Sequence, residues 1–548
     1  VQTTSKPGQR HPEPPRRHRR AASRPHTPVS GHGLIRTVLV CAAFTLNACT
    51  TLGPDFEEPG VDWLDQWQTN LYGQAVTGAQ QAEADLRFWW RLFDDPALNR
   101  LIESARQANP GLRIAGLRIL ESRAQLGIAG STLYPQVQQI GGAVNYVNSR
   151  QRGGDLPADD QSFGNYQAGF NLAWELDFWG RFRRGIESAD AAFFASIANQ
   201  QDAQLLLVAQ AADLYFAYRT TELRIDIARK NAGIRKRSYE ITQKLHEGGQ
   251  ESDLDLQQAR TQYLAIQSTI PELQITLTQT RNALSALLGR PPGELPELTG
   301  QVASLPGIEP VVIRDIPARL LMRRPDIRAA AWQAAAQSAQ IGIAEADLYP
   351  AITLFGSIGW AGNTLGASPD TGTLVIGPGL TWNIFDYGRI GNNVRVQDAR
   401  LQQLIEQYQN TVLQAAREID DAAISVVKTA EKQQVLRQSV AAADRSLELA
   451  NTLYQEGYAD FQRVLDAQQA SFAQAESKLV NQGRHVAAVI ALYKALGGGW
   501  LDMPVQQLIP EDVRATMQSR SDWGSLLDAP LPTGPARPPA TSEIPQHE

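Results

Sequence analysis

The sequence predicts a mixed α and β fold, internally duplicated, in which four strands per chain run directly into very long helices. Three observations carry this. The first is a corner, Trp382-Asn383-Ile384-Phe385-Asp386-Tyr387-Gly388-Arg389, approached by apolar residues that alternate at Leu374, Ile376, Leu380, Trp382 and Ile384. Alternation is the period of a strand with one apolar face. The second is the proline-free run from the corner to Met503, where Leu401, Leu404, Tyr408, Val412, Ala415, Ile419, Ala422 and Val426 step by three or four. That is the seam of a packed helix. A helix from Ile390 to about Tyr454 is roughly 65 residues, on the order of 100 Å long. It is too long for an ordinary globular domain, and Gln402, Gln403, Glu406 and Gln407 make it too polar to lie in lipid.

The third observation is that the chain is written twice. Pro110 to Pro135 matches Pro325 to Pro350 at an offset of 215, with Leu126-Gly127-Ile128-Ala129 against Ile341-Gly342-Ile343-Ala344. From the corner onward the offset is 208: Trp174, Gly180 and Arg181 meet Trp382, Gly388 and Arg389, Gly249 meets Gly457, and Leu288-Gly289 meets Leu496-Gly497. The difference of seven is assigned to one hairpin loop around Gln151-Arg152-Gly153-Gly154-Asp155, an exposed tip where insertions are tolerated.

Each half has the same order: a helix opened by proline, a Leu-Tyr-Pro end, two strands, the Trp…Gly-Arg corner, a long helix, a glycine turn and a second helix. The first repeat is placed at residues 96–290 with its hairpin at 134–178, the second at 317–500 with its hairpin at 349–386. The helices before the strands and after the turn are expected at roughly 35–40 residues each. Stacked end to end, such a pair matches one long helix, so each half supplies two full-length columns. Four strands cannot close a barrel, for which about eight is the small limit. An open sheet with an apolar outer face aggregates unless closed. The chain is therefore expected to oligomerise in a symmetric ring that shares one barrel.

Outside the repeats lie residues 1–48, 49–95, 291–316 and 501–548. Residues 1–33 are rich in Arg, Pro and His and are expected to be disordered. Leu34 to Cys49 has a basic flank, a short apolar core and small residues at its end, which reads as a secretory signal. The chain opens on Val and the basic leader is long, which leaves the translation start open. Trp63, Trp67, Trp89 and Trp90 are expected to pack a small collar, and residues 525–548, rich in proline, to be disordered.

Without residues 1–48, which carry eight of the 51 basic and one of the 57 acidic residues, the chain keeps 43 and 56, a net charge of −13. This argues against nucleic-acid binding. Cys41 and Cys49 are the only cysteines, and cleavage of the signal would leave no disulfide or cysteine metal site. His246, His485 and His547 remain and are expected to be solvated. No phosphate loop, paired metal ligands or nucleophile–base set stands out, so neither an enzyme nor a cofactor is expected. No segment approaches twenty apolar residues, which speaks against a helical span but not against a β-barrel.

Several motifs together resemble a known family. Leu46-Asn47-Ala48-Cys49 is similar to the lipobox of bacterial lipoproteins, and Thr50-Thr51-Leu52-Gly53-Pro54-Asp55-Phe56 to the mature start of outer-membrane efflux lipoproteins. With Arg323-Arg324-Pro325-Asp326-Ile327, the Leu-Tyr-Pro ends, the Phe-Asp-Tyr-Gly-Arg corner and Leu496-Gly497-Gly498-Gly499-Trp500, the chain resembles the TolC-like outer-membrane factors, in their OprM/NodT-like lipoprotein branch, over residues 49–505.

The resemblance implies a homotrimer anchored by lipid on Cys49 in the outer membrane. A transmembrane β-barrel would be continuous with a long α-helical periplasmic barrel. Partners would be a periplasmic adaptor (membrane fusion) protein and an inner-membrane pump of the resistance-nodulation-division type. The function implied is export of small molecules through a passive, gated tunnel.

The family's second hairpin has a glycine turn and an Asp-x-x-Asp-Ala pattern whose acids ring the periplasmic gate. Here Gly457-Tyr458-Ala459-Asp460-Phe461-Gln462-Arg463-Val464-Leu465-Asp466-Ala467 puts Asp466 on the second acid and Arg463 on the first. Asp255 is the repeat equivalent of Arg463, and an Asp255–Arg463 ion pair is expected to help hold the tip closed. Gly249, Gly457 and Tyr458 mark the turns an adaptor would grip. Trp174, Gly180, Arg181, Trp382, Gly388 and Arg389 mark the passage from barrel to tunnel. Two other readings remain: the exit duct of a type I protein-secretion system, and a periplasmic coiled-coil adaptor or scaffold, which would lack the two Trp…Gly-Arg corners.

Overall fold

The computed structural model describes residues 50–61, 86–149, 161–300, 304–307, 321–363 and 371–532. Cys49, Trp63, Trp67, His547 and the Gln151–Asp155 loop lie outside the described residues. The elements are α1 (Pro96–Ala108), α2 (Pro110–Ser131), β1 (Val137–Ser149), β2 (Gln161–Glu175), α3 (Arg181–Glu247), α4 (Asp253–Leu287), α5 (Pro325–Ala346), β3 (Ala351–Gly362), β4 (Thr371–Thr381), α6 (Arg389–Gln455), α7 (Phe461–Ala495), α8 (Val505–Leu508) and α9 (Glu511–Arg520).

The strands form one antiparallel sheet in the order β1-β2-β3-β4, leaving β1 and β4 as edges. The register pairs Val144 with Tyr166, Phe170 with Ile358 and Ile358 with Leu374. One face therefore carries the apolar set and the other Gln167, Asn171, Thr353 and Ser357, the alternation a half-apolar sheet requires. Ile140, Val144, Tyr146, Leu374, Ile376 and Leu380 are exposed. β4 ends at Thr381, so Trp382 and Ile384 leave the ladder although they keep its alternation. Among the described residues no helix is long and apolar enough to cross a membrane.

The register also refines the repeat. Val137 pairs with Ala173 and Ala351 with Thr381. The offset of 208 carries Ala173 to Thr381, so β1 and β3 correspond at 214. One of the seven extra residues therefore enters between Pro135 and the strand, and six lie in the hairpin. A slip of one inverts the faces of a strand, so the extra residue is what keeps Ile140 and Val144 on the apolar side.

α3 and α6 are each 67 residues, about 100 Å at ~1.5 Å per residue. α4 and α7 are 35 residues each, as expected, but α2 and α5 are only 22. In the first repeat Asn109 ends α1 and caps α2, its Oδ1 accepting from Leu112 N–H at 2.9 Å, so the expected single helix breaks there.

The columns nevertheless stack. α3 packs against α2, α4, α5 and α7, and α6 against α5 and α7. Equivalent side chains join the stacks: Asn109 Nδ2 donates to the Leu287 carbonyl at 2.8 Å, and Arg324 Nη1 to the Ala495 carbonyl at 2.9 Å. Asn109 and Arg324 correspond at 215, Leu287 and Ala495 at 208. Arg324 also binds Asp326 at 2.8 Å and Glu418 at 3.0 Å, tying the joint to α6.

The largest apolar cluster lies at these joints. It includes Trp89, Trp90, Phe93, Leu101, Tyr215, Phe216, Leu284, Tyr408, Ile419 and Val489. Trp89 and Trp90 are thus buried in the core at 4% exposure each, while Trp63 and Trp67 lie outside the described residues. His485 does not stay solvated: it is 8% exposed, with Nδ1 2.8 Å from Thr429 Oγ1. Residues 525–532 are ordered rather than disordered, since Leu527 is buried with Phe193 and Leu508, and Arg123 Nη1 donates to the Ala529 carbonyl at 2.7 Å.

The N-terminal segment is a strap. Arg184 Nε donates to the Leu52 carbonyl at 2.9 Å, and Nη2 to the Gly53 carbonyl at 3.0 Å and to Asp55 at 2.9 Å. A Cβ on Gly342 would stand 2.3 Å from the Leu52 oxygen, so the strap crosses α5 where only glycine fits. Phe56 follows into a cluster with Ala191, Ala195 and Trp332.

Candidate functional site

Both corners are built alike. In each, the indole Nε1 of the corner tryptophan donates to the leucine carbonyl of the Leu-Tyr-Pro turn that follows the preceding helix: Trp174 to Leu133 at 3.1 Å, Trp382 to Leu348 at 3.0 Å. The chain then turns through a left-handed glycine, Gly180 at φ 72° and Gly388 at φ 83°, into a long helix. A carboxylate caps the helix start. Asp177 accepts from Phe182 and Arg183 N–H, both at 3.0 Å; Asp386 accepts from Ile390 N–H at 2.6 Å and Gly388 N–H at 3.0 Å. The N–H groups of Ile390 and Gly388 hold the Asp386 carboxyl below its ordinary pKa. The capping acid sits one residue earlier in the first copy.

The surroundings differ. At the first corner Trp179 stacks on Tyr349, and Arg181 lies 3.6 Å from both Glu175 and Asp347. Thr51 covers Gly180. At the second, Phe385 and Tyr387 stand in the open.

The tips are also copies. Gln250 N–H reaches the Leu245 carbonyl and Tyr458 N–H the Leu453 carbonyl, both at 2.8 Å, with Gly249 at φ 72° and Gly457 at φ 77°. These are Schellman closures. Ser252 and Asp460 cap the returning helices. Gly249, Gly457 and Tyr458 are exposed.

Asp466 is exposed one turn into α7 and accepts from Gln462 Nε2 at 2.9 Å. Arg463 and Asp255 occupy the same position of their two helices, and within the chain they do not pair. The Asp255 carboxylate turns back and accepts from the Ser252 hydroxyl. The Arg463 side chain projects to solvent.

What joins the two hairpins is a polar seam that the sequence did not disclose. Arg224 binds Glu476 at 2.7 Å, Arg235 reaches Gln469, Gln468 Nε2 donates to Ser238 at 3.2 Å, and Tyr454 reaches Glu251 at 3.4 Å. Burial, followed by Glu251, raises the Tyr454 pKa. Arg235 is buried among amides, and that burial lowers its pKa. Below the seam Phe461, Val464, Leu465, Ala259 and Ala450 form a shared apolar tip.

Among the described residues no group of acids, histidines or cysteines is arranged to hold a metal.

Residues 101–290 and 316–498 match the family model described as outer membrane efflux protein. The chain is 30% identical over 465 residues to the pyoverdine export outer membrane protein OpmQ of Pseudomonas putida, covering 84% of this chain and 97% of that one. It is 30% identical over 464 residues to the cation efflux system protein CusC of Escherichia coli O6:H1, covering 84% and 98%. The solved structure of the outer-membrane channel OprN matches with a TM-score of 0.72 at 29% identity, over 82% of this chain and 99% of that one.

Proposed function

The chain belongs to the outer membrane efflux protein family and is an outer-membrane efflux channel, and from that premise we propose that three copies close one conduit from periplasm to exterior. The observation that carries this is the unfinished seam: a sheet with two open edges, apolar on one face, that runs through two glycine corners into two 67-residue helices. Three copies of the four-stranded sheet give twelve strands, enough for a lumen. The apolar face meets lipid and the polar face lines the pore.

The internal joint between repeats is the template for the joint between subunits. Transferring the β2–β3 register by the repeat pairs β4 with β1 of the next copy, Thr381 opposite Gly141. It also sets Tyr387 against Tyr134 of the next copy, as Trp179 sits against Tyr349. A lipid on Cys49 would be tethered two residues from Thr51, which lies at the first corner. Asp466 would ring the periplasmic constriction, and Asp255 and Arg463, which do not pair with each other within the chain, would meet between subunits. The Gly249 and Gly457 turns would engage an adaptor, which couples the channel to an inner-membrane pump. No residue set here supplies energy for transport, so the pump would.

OpmQ is named for pyoverdine and CusC for cations, so similarity alone does not assign the cargo. The test is fractionation. Heat-modifiable trimers in the outer-membrane fraction, together with lost resistance on deletion, are expected. A monomer in the soluble fraction would refute the reading.

A further inference from the structure

A groove of about 740 Å³ runs across α2, α3, α5 and α6, lined by one face of each. Four successive helices can line one groove only on the concave side of their row. The strap and the C-terminal segment pack mostly on residues outside the lining, Trp332 and Ala335 beside Phe56 and Ile119, Leu120 and Phe193 beside Leu508 and Leu527. Under the tunnel reading, on which this inference rests, the groove therefore faces the lumen.

Its chemistry is one-sided. Arg118 and Arg400 line it, both exposed, and neither makes a salt bridge among the described residues. Glu121 is the single carboxylate of the lining and accepts from Gln125 Nε2 at 3.4 Å. Between the arginines are amides: Gln337 Nε2 donates to Gln397 Oε1 at 3.0 Å. Gln200 also lines the groove and is 3% exposed. Its Oε1 accepts from Gln204 at 3.0 Å, while its Nε2 has no acceptor. A buried amide donor left unpaired costs free energy, and this one would gain a ligand oxygen only by rotating from beneath the wall into the groove.

We infer that this wall is a binding track for small oxyanions, carboxylates foremost, and that it disfavours free metal cations. Guanidinium groups bind carboxylates in a matched, two-toothed geometry, and Gln200 belongs to the same wall. In a ring of three copies α6 neighbours α2 of the next chain. Arg400 and Arg118 of adjacent subunits would then face the same lumen, repeated by the symmetry, with Glu121 the one carboxylate of each groove lining.

The test is planar-bilayer recording of the purified trimer in a KCl gradient, with citrate added on the barrel side, from which the groove is reached without passing the tip gate. Citrate should block wild-type current. The double substitution Arg118→Gln, Arg400→Gln should weaken the block by roughly fivefold or more and shift the reversal potential toward the potassium equilibrium value. Both arginines are exposed, so the variants fold. Gln200→Leu should weaken the block without moving the reversal potential. Normal conductance with unchanged block and unchanged reversal potential overturns this inference and leaves the channel standing. A protein that forms no trimer in the outer-membrane fraction overturns both.

Discussion

Trp179 stacks on Tyr349, ring centroids 4.7 Å apart and planes 30° apart, while its indole nitrogen donates to the Pro350 carbonyl at 2.9 Å. This contact joins the first corner to the end of α5, so it holds one repeat to the other. The repeat offsets convert Trp179 to Tyr387 and Tyr349 to Tyr134. Both are exposed in the single chain, at 101% and 70%. One contact is made within the chain; under the trimer proposal its copy forms with the next subunit.

The first prediction concerns that copy. Tyr387→Ala or Tyr134→Ala should lower the temperature at which trimers dissociate in detergent and leave the helical content of the chain unchanged. Loss of a buried aromatic contact is worth ~0.5–1.5 kcal/mol beyond its area, and the ring symmetry repeats it. Trp179→Ala should instead loosen the chain itself, read as faster proteolysis near Gly180. Dissociation temperatures unchanged in both tyrosine variants would remove the predicted joint.

At the tip, Asp255→Ala and Arg463→Ala should each raise the closed-state leak in bilayers if they latch adjacent subunits. A partly exposed pair of this kind contributes ~0–1 kcal/mol, so a modest increase is expected. Unchanged leak in both would dismiss the latch. If Asp466 rings the constriction as proposed, Asp466→Asn should reduce block by divalent cations.

The hairpin seam has a separate test. Arg224 and Glu476 are both about one-third exposed, which limits their coupling to ~0–1 kcal/mol in a double-mutant cycle on thermal stability. Arg235→Met should cost little, or stabilise, because a buried cation among amides is replaced by an apolar chain of similar length. A large loss would mean that its contact with Gln469 outweighs desolvation.

Asp202 gives a pH dependence. Burial, then Asp326, raises its pKa to about 6, against ~3.9 for an unperturbed aspartate. The folded state holds the proton more tightly than the unfolded one, so this group's contribution to stability falls as pH rises from about 4 to about 6. Asp202→Asn should raise stability at pH 7 by on the order of 1–2 kcal/mol and flatten that slope in thermal melts. An unaltered slope would contradict the assignment.

Much of the fold was legible because long helices and repeats carry redundant signals. α6 was expected from Ile390 to about Tyr454 and runs from Arg389 to Gln455. The break at Asn109 was less visible, since a cap and a proline inside an apolar period can end a helix or only kink it. The one-residue entry after Pro135 lies where the copies share no landmark, and only the strand register reveals it. The joint formed by Asn109 in one repeat and Arg324 in the other uses two chemistries for one task, so likeness of sequence could not find it. Arg184, Arg235 and His485 each also reach a distant partner, Asp55 at 129 residues, Gln469 at 234 and Thr429 at 56. Local pattern contains no trace of them.

The claim that one sheet per chain closes with its neighbours is tested most directly by a cross-link. Thr381→Cys with Gly141→Cys, expressed in cells and oxidised in the outer membrane, should give covalent trimers on non-reducing gels. Thr381→Cys with Gly142→Cys, one residue out of register and on the opposite face, should not. Monomers only from the first pair, with the protein present in the outer membrane, would contradict the shared barrel and its register.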